Sequence, residues 1–158
     1  NQRLTLLERK KIALQFLYGV NFLYIKGYLH RDLSASNILL KCYDANIVFV
    51  KISDFGLVKE KNSELTDSDT SGKGSTYHKD PLLESFKDIK IENEIYSIGC
   101  VLNFVFTGRQ NLTRNRDIPE LNDIIDKCTD SKSLDNRYHR VLDIIHGVEE
   151  LNFKQNTP

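Results

Sequence analysis

One stretch of this chain gathers side chains that could move a proton and hold a cation. His30-Arg31-Asp32-Leu33-Ser34-Ala35-Ser36-Asn37 sets an aspartate and an asparagine five residues apart, and Asp54-Phe55-Gly56 begins seventeen residues later. An aspartate on a tight loop ahead of a strand can project towards a substrate hydroxyl and accept its proton. An asparagine and an aspartate on neighbouring strands can meet as oxygen ligands across a hairpin. Oxygen ligands suit Mg²⁺, which uses few protein groups and completes its shell with water and substrate phosphates. Phosphoryl transfer asks for little beyond such positioning and charge neutralisation.

The elements around this stretch must supply the positioning. Thr5 to Lys26 reads as a helix opened by the capping box Thr5-Leu6-Leu7-Glu8. Ile12, Phe16, Val20 and Leu23, with Ala13, Leu17 and Tyr24 alongside, give it one broad apolar face. Gly27 ends it, because a left-handed residue there carries no Cβ penalty. Asn37 to Lys41 and Ile47 to Ile52 are short and rich in β-formers, and Tyr43 to Asn46 separates them, so the pair reads as a hairpin. Glu60 to Lys79 has hardly any apolar residues and is expected to be a mobile loop. Glu94 to Thr107 is apolar on most of its circumference, the pattern of a buried central helix. Leu121 to Cys128 and Tyr138 to Leu151 read as amphipathic helices.

Composition sets the outer bounds. At 158 residues the chain has the size of one domain. Lys plus Arg is 22 and Asp plus Glu is 22, a balance that argues against nucleic-acid binding through bulk charge. Cys42, Cys100 and Cys128 form no CxxC pair and are expected to be reduced core thiols. No run reaches the roughly 18 apolar residues of a membrane span, and no signal peptide is visible. No membrane partner and a cytoplasmic location are therefore expected.

The stretch His30 to Asn37 followed by Asp54-Phe55-Gly56 resembles the catalytic-loop and metal-loop pair of the protein kinases. The likeness extends along the chain. Leu4 to Gly27 resembles the long helix before the catalytic loop, and Glu94 to Gly99 the start of the central helix. Gly74 to Pro81 resembles the end of the activation loop, and Asp135 to Tyr138 the turn between the last two helices. The resemblance implies that 30–37 is a catalytic loop and 54–81 an activation segment. It implies a kinase-like α+β fold, mainly helical with a small hairpin region, and limited to the large lobe without the N-terminal small lobe. It implies ATP and Mg²⁺, with Asp32 as catalytic base, Asn37 and Asp54 as metal ligands, and Leu39 beneath the adenine. His30 and Phe55 match two hydrophobic-spine positions. Arg31 matches the arginine that pairs with a phosphorylated activation loop, with Lys59 as helper. Ser63, Thr66, Ser68, Thr70, Ser71, Ser75, Thr76 and Tyr77 are the candidate acceptors on that loop.

The chain also departs from the family pattern. Asp80-Pro81-Leu82 stands where the family has Ala-Pro-Glu, and Glu84 is the substitute partner expected for Arg137. Glu94 replaces an aspartate that anchors the catalytic loop, and its extra methylene is expected to loosen that anchor. The short stretch from Gly108 to Leu121 leaves little room for the family's substrate-docking helix. Ser34-Ala35-Ser36 carries neither the lysine of serine/threonine kinases nor the arginine of tyrosine kinases, so the acceptor hydroxyl stays open. The expected function is an ATP-dependent protein kinase acting on a protein substrate, with little activity by this chain alone. An N-terminal lobe or partner chain is expected over the nucleotide face. The alternatives are a kinase-derived binding module and a small-molecule kinase.

Overall fold

The computed structural model describes residues 4–43, 47–60 and 80–153. The expected mobile loop beyond Glu60, its candidate phosphorylation sites and the expected hairpin turn at 44–46 lie outside the described residues.

The first helix, α1, spans Leu6–Ile25. Its capping box forms as the sequence predicts: the Glu8 N–H donates to Thr5 Oγ1 at 3.3 Å, and the Thr5 N–H donates to Glu8 Oε2 at 2.7 Å. Ile12, Ala13, Phe16, Leu17, Val20 and Tyr24 are buried, each large apolar side chain contributing about 1.5–3 kcal/mol. Gly27 ends the helix at φ +83°, its N–H donating to the Tyr24 carbonyl at 3.0 Å.

The predicted hairpin is formed by β2, Ile38–Tyr43, and β3, Ile47–Ile52, in antiparallel register with Ile38 opposite Ile52 and Leu40 opposite Val50. Gln15 of α1 satisfies the free edge of β3. Its Nε2 donates to the Val48 carbonyl at 3.0 Å, and its Oε1 accepts from the Val50 N–H at 3.1 Å. That edge is thus closed against further pairing.

The expectation of a single hairpin is corrected, because there is a second two-stranded sheet. Tyr28–Leu29 (β1) pairs antiparallel with Lys59–Glu60 (β4), bringing the chain after Gly56 back beside the start of the 30–37 loop. The signal was weak, since a two-residue strand is too short for alternation to show.

The remaining helices are α2 (Ile91–Thr107), α3 (Pro119–Cys128) and α4 (Val141–Glu150). As its composition predicts, α2 is central, with Ile95, Ile98, Val101, Leu102 and Phe106 buried. It begins three residues before Glu94, the start expected from sequence. Gly99 lets α3 approach, since a Cβ there would lie 2.6 Å from Cys128 Cβ and 2.7 Å from Thr129 Cγ2. Ile144, Ile145 and Val148 of α4 join the α1 side chains in the same core. Lys10 of α1 donates to the carbonyls of Glu149 and Leu151, both at 2.7 Å, and so caps α4. No helix among the described residues is long and apolar enough to cross a membrane.

Two further expectations change. Arg137 pairs with Asp80, not Glu84: Nη1 donates to Asp80 Oδ2 at 2.6 Å and Nη2 to Oδ1 at 2.8 Å. Asp80 is buried whereas Glu84 is exposed, so Asp80 alone meets the guanidinium out of water. Of the three cysteines, Cys100 and Cys128 are core thiols but Cys42 is exposed. Cys42 lies opposite Val48, one pair from the Tyr43–Ile47 end of the hairpin.

Candidate active site

The site is built around His30, which follows β1 and is fully buried. Its Nε2 donates to the Ser53 carbonyl at 3.0 Å, and its Nδ1 accepts from the Asp32 N–H at 3.3 Å. A carbonyl can only accept and an amide N–H can only donate, so these partners select the neutral imidazole with its proton on Nε2. Burial pushes the imidazole below its ordinary value, in the same direction. His30 thereby joins the residue before Asp54 to the backbone of Asp32. Its ring also meets Phe55, with centroids 5.1 Å apart, which brings the two expected spine residues together.

Arg31 turns the chain at φ +69°, a left-handed conformation that costs a non-glycine residue roughly 1–2 kcal/mol. Two groups hold it there. The Arg31 N–H donates to Glu94 Oε1, and Tyr24 Oη donates to Glu94 Oε2 at 2.7 Å. Burial pushes the Glu94 carboxyl up, opposed by the backbone of Arg31, the Tyr24 hydroxyl and the backbone of His30. The anchor expected to be loosened by the extra methylene is therefore made, with Tyr24 engaging its second oxygen. Sequence reading placed Tyr24 only on the apolar face of α1. The available signal was a phenol at the buried end of a helix, where a polar tip needs a partner.

At its far end, the Arg31 guanidinium donates from Nη2 to the Phe86 carbonyl at 2.8 Å and lies 4.1 Å from the centre of the Phe86 ring.

Asn37 ends a short 3₁₀ turn, Ala35–Asn37. Its Nδ2 donates to the Asp32 carbonyl at 2.8 Å and to Asp32 Oδ2 at 3.0 Å. Both amide donations go to Asp32, which leaves the side-chain oxygen of Asn37 for a cation. The Asn37 carbonyl in turn accepts from the Ser53 N–H at 2.9 Å and from Ser53 Oγ at 3.1 Å. Ser53 thus ties Asp54 to Asn37 across the base of the hairpin. Asp54 is exposed, in a left-handed conformation at φ +61°, and its Oδ1 accepts from the Gly56 N–H at 3.4 Å.

Asp32 and Asn37 therefore touch directly, and Asp54 is tied to Asn37 through the neighbouring Ser53. Leu39, on β2, is 54% exposed, as is Phe55 at 49%. Ser34 and Ser36 are joined through their hydroxyls at 2.8 Å. Lys59 contributes backbone to β4, and its side chain is outside the described residues. Among the described residues no group of three or more histidine, cysteine, aspartate or glutamate side chains could hold a metal. One amide oxygen and one carboxylate suit Mg²⁺, which takes most of its shell from water and phosphate.

A mainly helical body with an aspartate beside an asparagine and an Asp-Phe-Gly turn is similar in its parts to the sites of the phosphotransferase class. Comparison with known proteins places the chain within that class: residues 1–153 match the protein kinase domain, and the chain belongs to the protein kinase family. It is 32% identical over 144 residues to the leaf rust 10 disease-resistance locus receptor-like protein kinase-like 1.4 of Arabidopsis thaliana, covering 89% of this chain and 20% of that protein. It is 31% identical over 127 residues to the dual specificity protein kinase shkC of Dictyostelium discoideum, covering 78% and 24%. It is 31% identical over 102 residues to the serine/threonine-protein kinase BCK1/SLK1/SSP31 of Saccharomyces cerevisiae, covering 64% and 7%. The chain spans less than a quarter of the length of each of these relatives.

The match corrects the expected fold class. The family match covers residues 1–153, so the restriction to a large lobe without a small lobe does not stand. That restriction rested on reading Leu4 to Gly27 as the long helix that precedes the catalytic loop.

Proposed function

We propose that this chain carries the transfer site of an ATP-dependent protein kinase, moving a phosphoryl group from Mg-ATP to a hydroxyl of a protein substrate. The observation that carries the reading is the double hydrogen bond from Ser53 to the Asn37 carbonyl. It sets Asp54 beside an asparagine whose amide already holds Asp32.

In this reading 30–37 is the catalytic loop and 54–81 the activation segment. Asp32 orients the acceptor hydroxyl and takes its proton. Asn37 holds the Asp32 carboxylate at the angle this requires. The Asn37 side-chain oxygen and the Asp54 carboxylate are the groups that would hold Mg²⁺. When bound, the ion neutralises charge on the phosphates. Leu39 and Phe55 give an adenine ring, and a protein surface covering it, apolar footing. Arg31 positions Asp32. The compartment proposed is the cytoplasm.

The test is Mg-ATP phosphotransfer by the full chain, assayed beside nucleotide binding. Asp32→Asn is expected to keep Mg-dependent ATP binding and lose transfer, by about 10²-fold or more. Asp54→Ala is expected to lose the Mg-dependence of binding. Full transfer by both variants would overturn the assignment. ATP binding without transfer in the unaltered chain would favour the binding-module alternative.

A further inference from the structure

The resemblance to protein kinases gives Arg31 a phosphorylated partner, yet in this chain its guanidinium is already engaged. Nη2 donates to the Phe86 carbonyl at 2.8 Å, and the planar group lies over the Phe86 ring at 4.1 Å. The ring face attracts the cation, and the carbonyl fixes its rotation. Arg31 Nε is sealed from solvent and has no hydrogen-bond partner among the described residues. Side-on gripping of a phosphate uses Nε together with Nη2. The first is enclosed and the second gives an N–H to Phe86, so a side-on grip is obstructed, while the end-on Nη1–Nη2 edge lies outside this obstruction.

Phe86 is itself well placed to act as a support. It opens a short 3₁₀ turn, Phe86–Asp88, whose preceding Ser85 accepts from the Lys87 N–H at 3.3 Å. That turn lies between Asp80, locked to Arg137, and α2, which carries Glu94. Arg31 is therefore held at both ends from one region of the fold. Its backbone N–H is bonded to Glu94, and its guanidinium is bonded to Phe86.

We infer that Phe86 is a positioning residue for the Arg31–Asp32 turn, seating the guanidinium where a phosphate would otherwise sit, so that the turn is held without phosphorylation of the chain. The inference rests on the reading of Asp32 as the group at the transfer site. The seating itself can be measured with no activity at all.

The experiment uses the full chain, isotope-labelled and phosphatase-treated, with its phosphate-free mass confirmed. Two signals are followed by nuclear magnetic resonance: the Arg31 Nε–H and the exchange of the Arg31 backbone amide. In the unaltered chain the Nε–H is expected to show the shift of a group over an aromatic face, and inorganic phosphate at millimolar concentration should leave it unmoved. Phe86→Leu keeps the carbonyl and removes the ring. It is expected to lose that shift, to admit phosphate, and to speed exchange of the Arg31 amide about tenfold while α2 amides stay protected. Phe86→Tyr should restore both signals.

Movement of the Nε–H on adding phosphate to the unaltered chain would overturn the inference, and that titration decides alone if Phe86→Leu does not fold. An unchanged Arg31 amide in a folded Phe86→Leu would also overturn it. In parallel assays Phe86→Leu should lower kcat and leave KM for ATP unchanged. Absence of transfer in every protein, with the resonance results as expected, would sink the kinase reading and leave the seating of Arg31 established.

Discussion

Arg137 and Asp80, 57 residues apart in sequence, form a bidentate ion pair at 2.6 and 2.8 Å with both side chains out of water. Each makes two further bonds. Arg137 Nε donates to the Asp130 carbonyl at 2.8 Å and Nη1 to the Glu92 carbonyl at 3.0 Å. Asp80 accepts from the Leu82 N–H at 2.9 Å and from Asn93 Nδ2 at 2.7 Å. A buried pair so fully bonded fastens the segment after residue 79 to the body of the domain, and removing one partner strands the other.

Arg137→Ala should therefore destabilise the domain by about 3–5 kcal/mol, because the Asp80 carboxylate would be left buried and unpaired. Glu84→Ala, at the exposed carboxylate that sequence alone suggested, should change stability by no more than about 0.5 kcal/mol. Urea denaturation of the two variants separates them. Equal losses would return the pairing to Glu84.

The same pair sets an acid limit. Burial alone would raise the Asp80 carboxyl, but the bonds from Arg137, the Leu82 N–H and Asn93 outweigh it and hold the group below its ordinary range. A carboxylate depressed in the fold contributes stability that is complete above the unfolded value and is lost as pH falls towards the folded one. Denaturation midpoints should thus drop below about pH 4, and the drop should be shallower in Asp80→Asn. Parallel pH curves for the two proteins would refute this.

Tyr24→Phe should cost about 1.5–3 kcal/mol, the value of a buried hydrogen bond to a charged group. The loss should shrink in a Glu94→Gln background, since the two side chains share one interaction. Independent, additive losses in the double-mutant cycle would show that the Tyr24 hydroxyl does not act through Glu94.

Gly99→Ala tests the α2–α3 approach. The added methyl would meet Cys128 Cβ at 2.6 Å and Thr129 Cγ2 at 2.7 Å, so a loss of about 1–3 kcal/mol is expected from overpacking. Thermal unfolding no different from the unaltered chain would show that α3 can move aside at no cost.

Much of this was legible in the residues. The capping box at Thr5, the stop at Gly27, the hairpin strands and the central helix are local patterns, and each formed within a few residues of its expected bounds. The contact of Asn37 with Asp32 is local too, because the two lie five residues apart on one loop. What escaped were pairings between distant segments: Arg137 with Asp80, Tyr24 with Glu94, Arg31 with Phe86, and β1 with β4. Spacing carries no information about such partners. Asp80 and Glu84 differ in burial, which only the assembled fold decides. Cys42 shows the same limit: its residue type favours the interior, but its place near the Tyr43–Ile47 end of the hairpin leaves it exposed.

The ties between Asn37 and Ser53 lie at the closed base of the hairpin, next to the Ile38–Ile52 pair. The opposite end, between Tyr43 and Ile47, belongs to neither candidate ligand. Lengthening the connection there adds chain beyond the last rung of the ladder, and each doubling of such a connection costs only about 0.6 kcal/mol. A reporter or epitope spliced between Tyr43 and Ile47 would therefore leave the spacing of Asn37 and Asp54 untouched. The hairpin works like a clothes-peg whose grip lies at the Asn37–Ser53 end, and the far end is where this chain can be re-engineered.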